Sequence, residues 1–239
     1  MRILLLLSLL LSFGCMPPTD DPAPKVTGST LPPLAPNPTG ATVSMLSLGD
    51  SYTIGQSVSE EDRWSVQLAR LGQSEGLQKP DIIAQTGWTT AELQRAISAS
   101  NNQKTYELVS LMIGVNNQFR GQPLATYRTE FQELLQTAIR FAGKRPGRVV
   151  VLSIPDWGQS PYGVSYNRAQ ITTEIDQFNA VARQECTQAG VAYIDITDLT
   201  RAAANDRTQF AADGLHYSGQ QMQQWADRAL PIVRQLLVK

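Results

Sequence analysis

The chain has 239 residues, 42% of them hydrophobic, and its 20 basic and 21 acidic side chains leave a net charge of −1. No cluster of Lys or Arg breaks that balance, which argues against nucleic acid as the main partner. A single histidine, His216, and two cysteines far apart in sequence argue against a zinc site.

The chain begins with Met1-Arg2 and the apolar run Ile3 to Leu11, the layout of a secretory signal. The run is shorter than the roughly 20 apolar residues of a membrane-spanning helix. It ends in Ser12-Phe13-Gly14-Cys15, which resembles the bacterial lipoprotein signal, in which the cysteine is lipidated and becomes the new N-terminus. Ser12 stands where leucine is usual, and Leu11 lies one residue earlier. The expected organisation is therefore a signal peptide over residues 1–14, a lipidated Cys15 heading a tether over 15–41, and one domain over 42–239. Eight of the 14 prolines fall between Pro17 and Pro38, in a segment without aromatic residues, which suits an extended and solvated tether. The expected location is outside the cytoplasm, as a membrane-anchored periplasmic or cell-surface protein. Plain secretion is the alternative. Cys186 continues the helical spacing of Ile171, Ile175, Phe178 and Ala182, so it reads as a buried core residue and not as a catalytic thiol.

Within the domain, short apolar runs alternate with stretches of helical spacing. The runs Val43–Leu48, Asp81–Gln85, Leu108–Ile113, Arg148–Ile154 and Val191–Ile194 read as strands. The clearest helix runs from Pro123 to about Phe141, with Leu124, Tyr127, Phe131, Leu134 and Ala138 on one face. A last helix starts after Ser218, with Gln221 as a capping partner three residues on. Pro231 is expected to kink or end it. Strands alternating with helices imply a three-layer α/β/α fold around a mostly parallel sheet. Five strands suggest a flavodoxin-like sheet of order 2-1-3-4-5, whose ligands bind at the carboxyl ends of the strands.

The residues that could carry chemistry fall at those ends. Ser51 follows the first strand, Gly87 the second and Asn116 the third, while Asp213 and His216 lie in a loop near the C-terminus. Taken singly, each has a plainer reading. A glycine after a strand is usually a turn, Asn116 suits a left-handed turn, and a lone histidine is more often a satisfied polar group. Together they form four motifs in order: Gly49-Asp50-Ser51-Tyr52, Gly87 in Thr86-Gly87-Trp88-Thr89, Gly114-Val115-Asn116-Asn117, and Asp213-Gly214-Leu215-His216. In this the chain resembles the SGNH subgroup of GDSL hydrolases, from about Val43 to the last helix. It departs in having Tyr52 where leucine is commoner and Asn117 where aspartate is frequent.

The resemblance implies a serine esterase with no cofactor. Ser51 would be the nucleophile, His216 the base, and Asp213 the acid that orients the imidazole. Asp195 and Asp198 are alternative acids near the fifth strand, with capping or loop bonding as their simpler role. The backbone N–H groups of Ser51 and Gly87 and the amide of Asn116 would form an oxyanion hole. Asp50 is expected to order the nucleophile loop. Trp88, Asn117 and Trp157 are candidate pocket residues. The loop from Pro155 to Gly163 is a candidate wall for an acyl group or a sugar. Expected substrates are small acyl esters, either of lipids or of acetylated glycans. Two other readings remain: a non-catalytic surface protein that binds glycan or lipid, and a flavin phosphate loop at Gly49–Gly55. The second leaves the Asp213/His216 pair without a task.

Overall fold

The computed structural model of the chain describes residues 42–238. The signal segment, Cys15 and the tether through residue 41 lie outside the described residues. Five strands form: β1 (Met45–Gly49), β2 (Asp81–Ala84), β3 (Leu108–Met112), β4 (Val149–Leu152) and β5 (Ala192–Ile194). All neighbours pair in parallel, in the order β2-β1-β3-β4-β5. The three central strands are buried along their whole length, which is why they read as unbroken apolar runs. The edge strands β2 and β5 are only partly covered.

Among the described residues, eight α-helices connect and cover the sheet: α1 (Ser51–Ile54), α2 (Trp64–Leu71), α3 (Thr90–Ala99), α4 (Val115–Phe119), α5 (Leu124–Phe141), α6 (Arg168–Ala189), α7 (Thr197–Ala202) and α8 (Gly219–Val238). The helix α2 packs on α8, and α5 packs on both α3 and α6, so the sheet is the middle layer of an α/β/α sandwich. In α5, Tyr127, Phe131, Leu134 and Ala138 are buried, as their spacing requires. Cys186 is fully buried and free, and burial pushes its thiol up to about 12.

α8 departs from expectation at two points. Pro231 does not end the helix, which continues to Val238. Pro231 is exposed, while Trp225, Ala226, Ala229 and Val233 stay buried on the opposite face and hold the helix to the core. The capping pair is also only half made. Ser218 Oγ accepts the Gln221 backbone N–H at 3.4 Å, but the buried Gln221 amide nitrogen has no partner.

Candidate active site

The sheet order decides what meets at its carboxyl edge. The chain leaves β1 for β2 on one side and later returns to place β3 on the other. Ser51 opens α1 directly after β1, Gly87 sits in the turn after β2, and Asn116 lies in the first turn of α4 after β3. The turn before α8 adds His216. These four residues line one cavity of about 130 Å³, together with Tyr52, Phe119, Trp157, Tyr162 and Leu215 among others. A larger hollow of about 460 Å³ lies elsewhere, but Arg183, Arg201 and Arg228 there are paired with Asp195, Asp176 and Asp198. Its charges satisfy one another.

Ser51 is presented by its neighbours. The Asp50 carboxylate accepts the Tyr52 backbone N–H at 3.1 Å and so caps α1, which puts Ser51 at the first helical position. Asp50 is fully buried and its second oxygen has no partner. Burial therefore pushes its carboxyl up to about 7, against the lowering effect of the Tyr52 N–H. Its expected part in ordering the loop fits this geometry.

His216 is held from several directions. Its Nδ1 lies 2.8 Å from Asp213 Oδ2, and Asp213 Oδ1 accepts the backbone N–H groups of Leu215 and His216, each at 2.9 Å. The Ser57 hydroxyl donates to Asp213 Oδ2 at 2.5 Å. Partial burial pushes the Asp213 carboxyl up, but the Ser57 bond, the two N–H bonds and the imidazole outweigh it. The carboxyl lies well below the usual range. An ionised carboxylate can only accept, so Nδ1 carries the proton and Nε2 keeps its lone pair. The Tyr52 ring packs against the imidazole, with centroids 5.4 Å apart and planes 55° apart. Tyrosine in place of the commoner leucine thus adds an aromatic wall that steadies the histidine.

On the opposite side, Gly87 has a φ of 85°. A Cβ there would meet nothing closer than 3.8 Å, so backbone conformation and not crowding is what requires glycine. The Arg120 guanidinium donates to the Gly87 carbonyl at 2.6 Å and pairs with Glu92 at 3.2 Å. Asn116 Nδ2 donates to the Trp88 carbonyl at 3.0 Å, which fixes the amide beside the cavity. Gly114 precedes this turn at a φ of 131°, where a Cβ would strike the Tyr127 ring at 2.8 Å.

Two expected pocket residues are not part of the lining. Trp88 is half-buried against the core and offers the site only its carbonyl. Asn117 is fully buried. Its side chain accepts from Thr90 N at 3.2 Å and donates to Thr90 Oγ1 at 2.5 Å and to Gln122, tying α4 to α3. One residue along a helix turns the side chain by about 100°, so Asn116 and Asn117 cannot face the same cavity. The alternative acids are occupied elsewhere: Asp195 bonds Ser153, Thr197 and Arg183, and Asp198 pairs with Arg228. Trp157 does line the cavity, as does Tyr162 from the same loop.

Several neighbours of the site carried no motif. Phe119 lines the cavity, and its position three residues after Asn116 on one helix was the available signal. Ser57 and Arg120 had none, because their partners are 156 and 33 residues away. Among the described residues, no group of three His, Cys, Asp or Glu side chains is arranged to hold a metal ion. A serine hydroxyl, an imidazole held by a carboxylate and N–H donors surround one small cavity. That set is suited to acyl transfer.

The profile of the GDSL-like lipase/acylhydrolase family matches residues 47–224. Solved structures with the same fold include a lipase/acylhydrolase from Enterococcus faecalis, 22% identical, with a TM-score of 0.60 over 82% of this chain and 96% of that one. The psychrotrophic esterase EstA from Pseudoalteromonas sp. is 16% identical, with a TM-score of 0.62 over 82% and 99%. Axe2, an acetylxylan esterase from Geobacillus stearothermophilus, is 16% identical, with a TM-score of 0.61 over 80% and 94%. No curated protein matches the chain.

Proposed function

The chain belongs to the GDSL-like lipase/acylhydrolase family, as an ester-hydrolysing serine hydrolase, and from that premise we propose an exported esterase that uses Ser51 to cleave short acyl esters. The observation that carries this reading is the Asp213–His216 pair standing on the cavity that Ser51 also lines. His216 Nε2 takes the Ser51 proton as Oγ attacks the ester carbonyl. The oxyanion that forms accepts from the Ser51 and Gly87 N–H groups and the Asn116 amide. The intermediate collapses, the alcohol leaves with the proton from His216, and the acyl group stays on Ser51. Water then enters by the same route and releases the acid. A pure binding protein on this fold would have no use for the tautomer that Asp213 enforces.

The cavity of about 130 Å³ supports a short acyl group, since pockets for drug-sized ligands run from about 300 to 1,000 Å³. Across 4-nitrophenyl esters from acetate to dodecanoate, kcat/KM is expected to peak at acetate or butyrate and then fall. A profile that rises to the long chains would overturn the short-acyl reading.

The same proposal places the enzyme outside the cytoplasm, carried by the signal over residues 1–14 and anchored by lipid on Cys15. Fractionation of cells expressing the full chain tests the anchor. The protein is expected in the membrane fraction, and Cys15→Ser is expected to release it. Equal distribution of the two forms would remove the lipid.

A further inference from the structure

We propose that exposed aromatic side chains beside the cavity form a shelf for the alcohol part of the ester, and that this part is a neutral saccharide. The inference rests on the esterase reading above. Among the described residues, the exposed large hydrophobic side chains are Phe119, Tyr162, Val164, Tyr166 and Val238. Three of these, Phe119, Tyr162 and Tyr166, gather at one place. Phe119 and Tyr162 line the cavity itself, and Val164 and Tyr166 belong to the turn that Tyr162 opens. Apolar groups clustered on a surface mark a site of contact.

The shelf is rigid. Trp157 is buried beneath it, with its ring centroid 5.1 Å from that of Tyr166 and 5.4 Å from that of Phe119. The Trp157 indole donates to Gln118 at 2.7 Å. The Tyr162 and Tyr166 rings lie 5.3 Å apart and 32° from parallel, and their hydroxyls are hydrogen-bonded at 2.9 Å. Arg168 braces the loop below by donating to the Gly158 and Gln159 carbonyls. Rings fixed in this way lose little entropy when a ligand lies on them.

Position assigns the shelf to the alcohol side. The Tyr162 backbone N–H donates to the Gly214 carbonyl at 2.9 Å, two residues before His216. The imidazole must hand its proton to the departing alcohol, so the alcohol leaves past this loop. Chemistry then narrows the alcohol. No residue lining the cavity carries a carboxylate, ammonium or guanidinium group, and Arg120 beside Gly87 is paired with Glu92, so nothing there is set to pair with a phosphate headgroup. Flat aromatic faces edged by two hydroxyls suit a sugar ring, which offers C–H groups on its faces and hydroxyls at its rim.

The test compares wild type, Tyr166→Ala and Tyr166→Phe on three probes. These are partially O-acetylated xylo-oligosaccharides, ethyl acetate, whose alcohol is too small to reach the shelf, and ethyl octanoate. Tyr166→Ala is expected to cut kcat/KM for the saccharide esters about 10-fold more than for ethyl acetate, chiefly through KM. Tyr166→Phe keeps the ring and is expected to recover most of that loss. Melting temperatures confirm that both variants fold. Equal losses on the saccharide esters and ethyl acetate would overturn the shelf, and a loss greatest on ethyl octanoate would assign it to the acyl chain instead. A wild type inert towards all three esters would sink the esterase reading itself, a distinct outcome.

Discussion

Replacing His216 with alanine is expected to remove ester turnover, by a factor on the order of 10⁶ in kcat, and Ser51→Ala is expected to do the same. The two losses are alike because hydroxyl and imidazole act as one unit. Without the base, the Ser51 hydroxyl stays protonated and is a poor nucleophile. Without Oγ, the base has nothing to activate. The chain has no second histidine to stand in. Ser51→Ala deletes a single atom from a buried position and should leave the fold intact. His216→Ala opens a gap against the Tyr52 ring, so its melting temperature and circular dichroism are to be measured beside its activity. Substantial turnover of 4-nitrophenyl acetate by either folded variant would contradict these roles.

Asp213→Asn is expected to lower kcat by about 10⁴ with the fold unchanged. The Asp213 carboxylate only accepts, which forces the proton onto His216 Nδ1 and frees Nε2 for Ser51. An asparagine amide can present its N–H₂ to the ring and favour the wrong tautomer. It also withdraws the negative charge that stabilises the imidazolium formed as Ser51 attacks. The carboxyl is held well below the usual range, so it stays ionised through the acid and neutral range. Protonation of Asp213 is therefore not expected to limit wild-type activity at mildly acidic pH. A variant that retained most of its kcat would show that another group orients His216.

Much of this was legible in the sequence because the relevant signals are local. Buried parallel strands require continuous apolar runs, and each of the five runs encloses or overlaps the strand it announced within two residues. Three of the motifs sit at strand ends, which the strand order brings together, and the fourth reaches them from the turn before α8. What was not legible depends on the direction of side chains. Trp88 and Asn117 adjoin residues that face the cavity, yet Trp88 packs half-buried against the core and Asn117 turns towards Thr90. Pro231 broke no helix because it falls on the face that packs against nothing. The Ser57 bond to Asp213 joins residues 156 apart through a turn with Ser57 at a φ of 66°, a conformation uncommon outside glycine. Nor did composition show that Phe119, Tyr162 and Tyr166 would converge from α4 and the loop after β4 beside the nucleophile.

The most direct test of Ser51 as nucleophile is covalent labelling by a fluorophosphonate, read by intact mass and peptide mapping. One adduct per chain on Ser51 is expected, absent from Ser51→Ala and formed far more slowly in His216→Ala. A folded wild-type protein that stays unlabelled, or that carries the adduct on another residue, would contradict the assignment of Ser51.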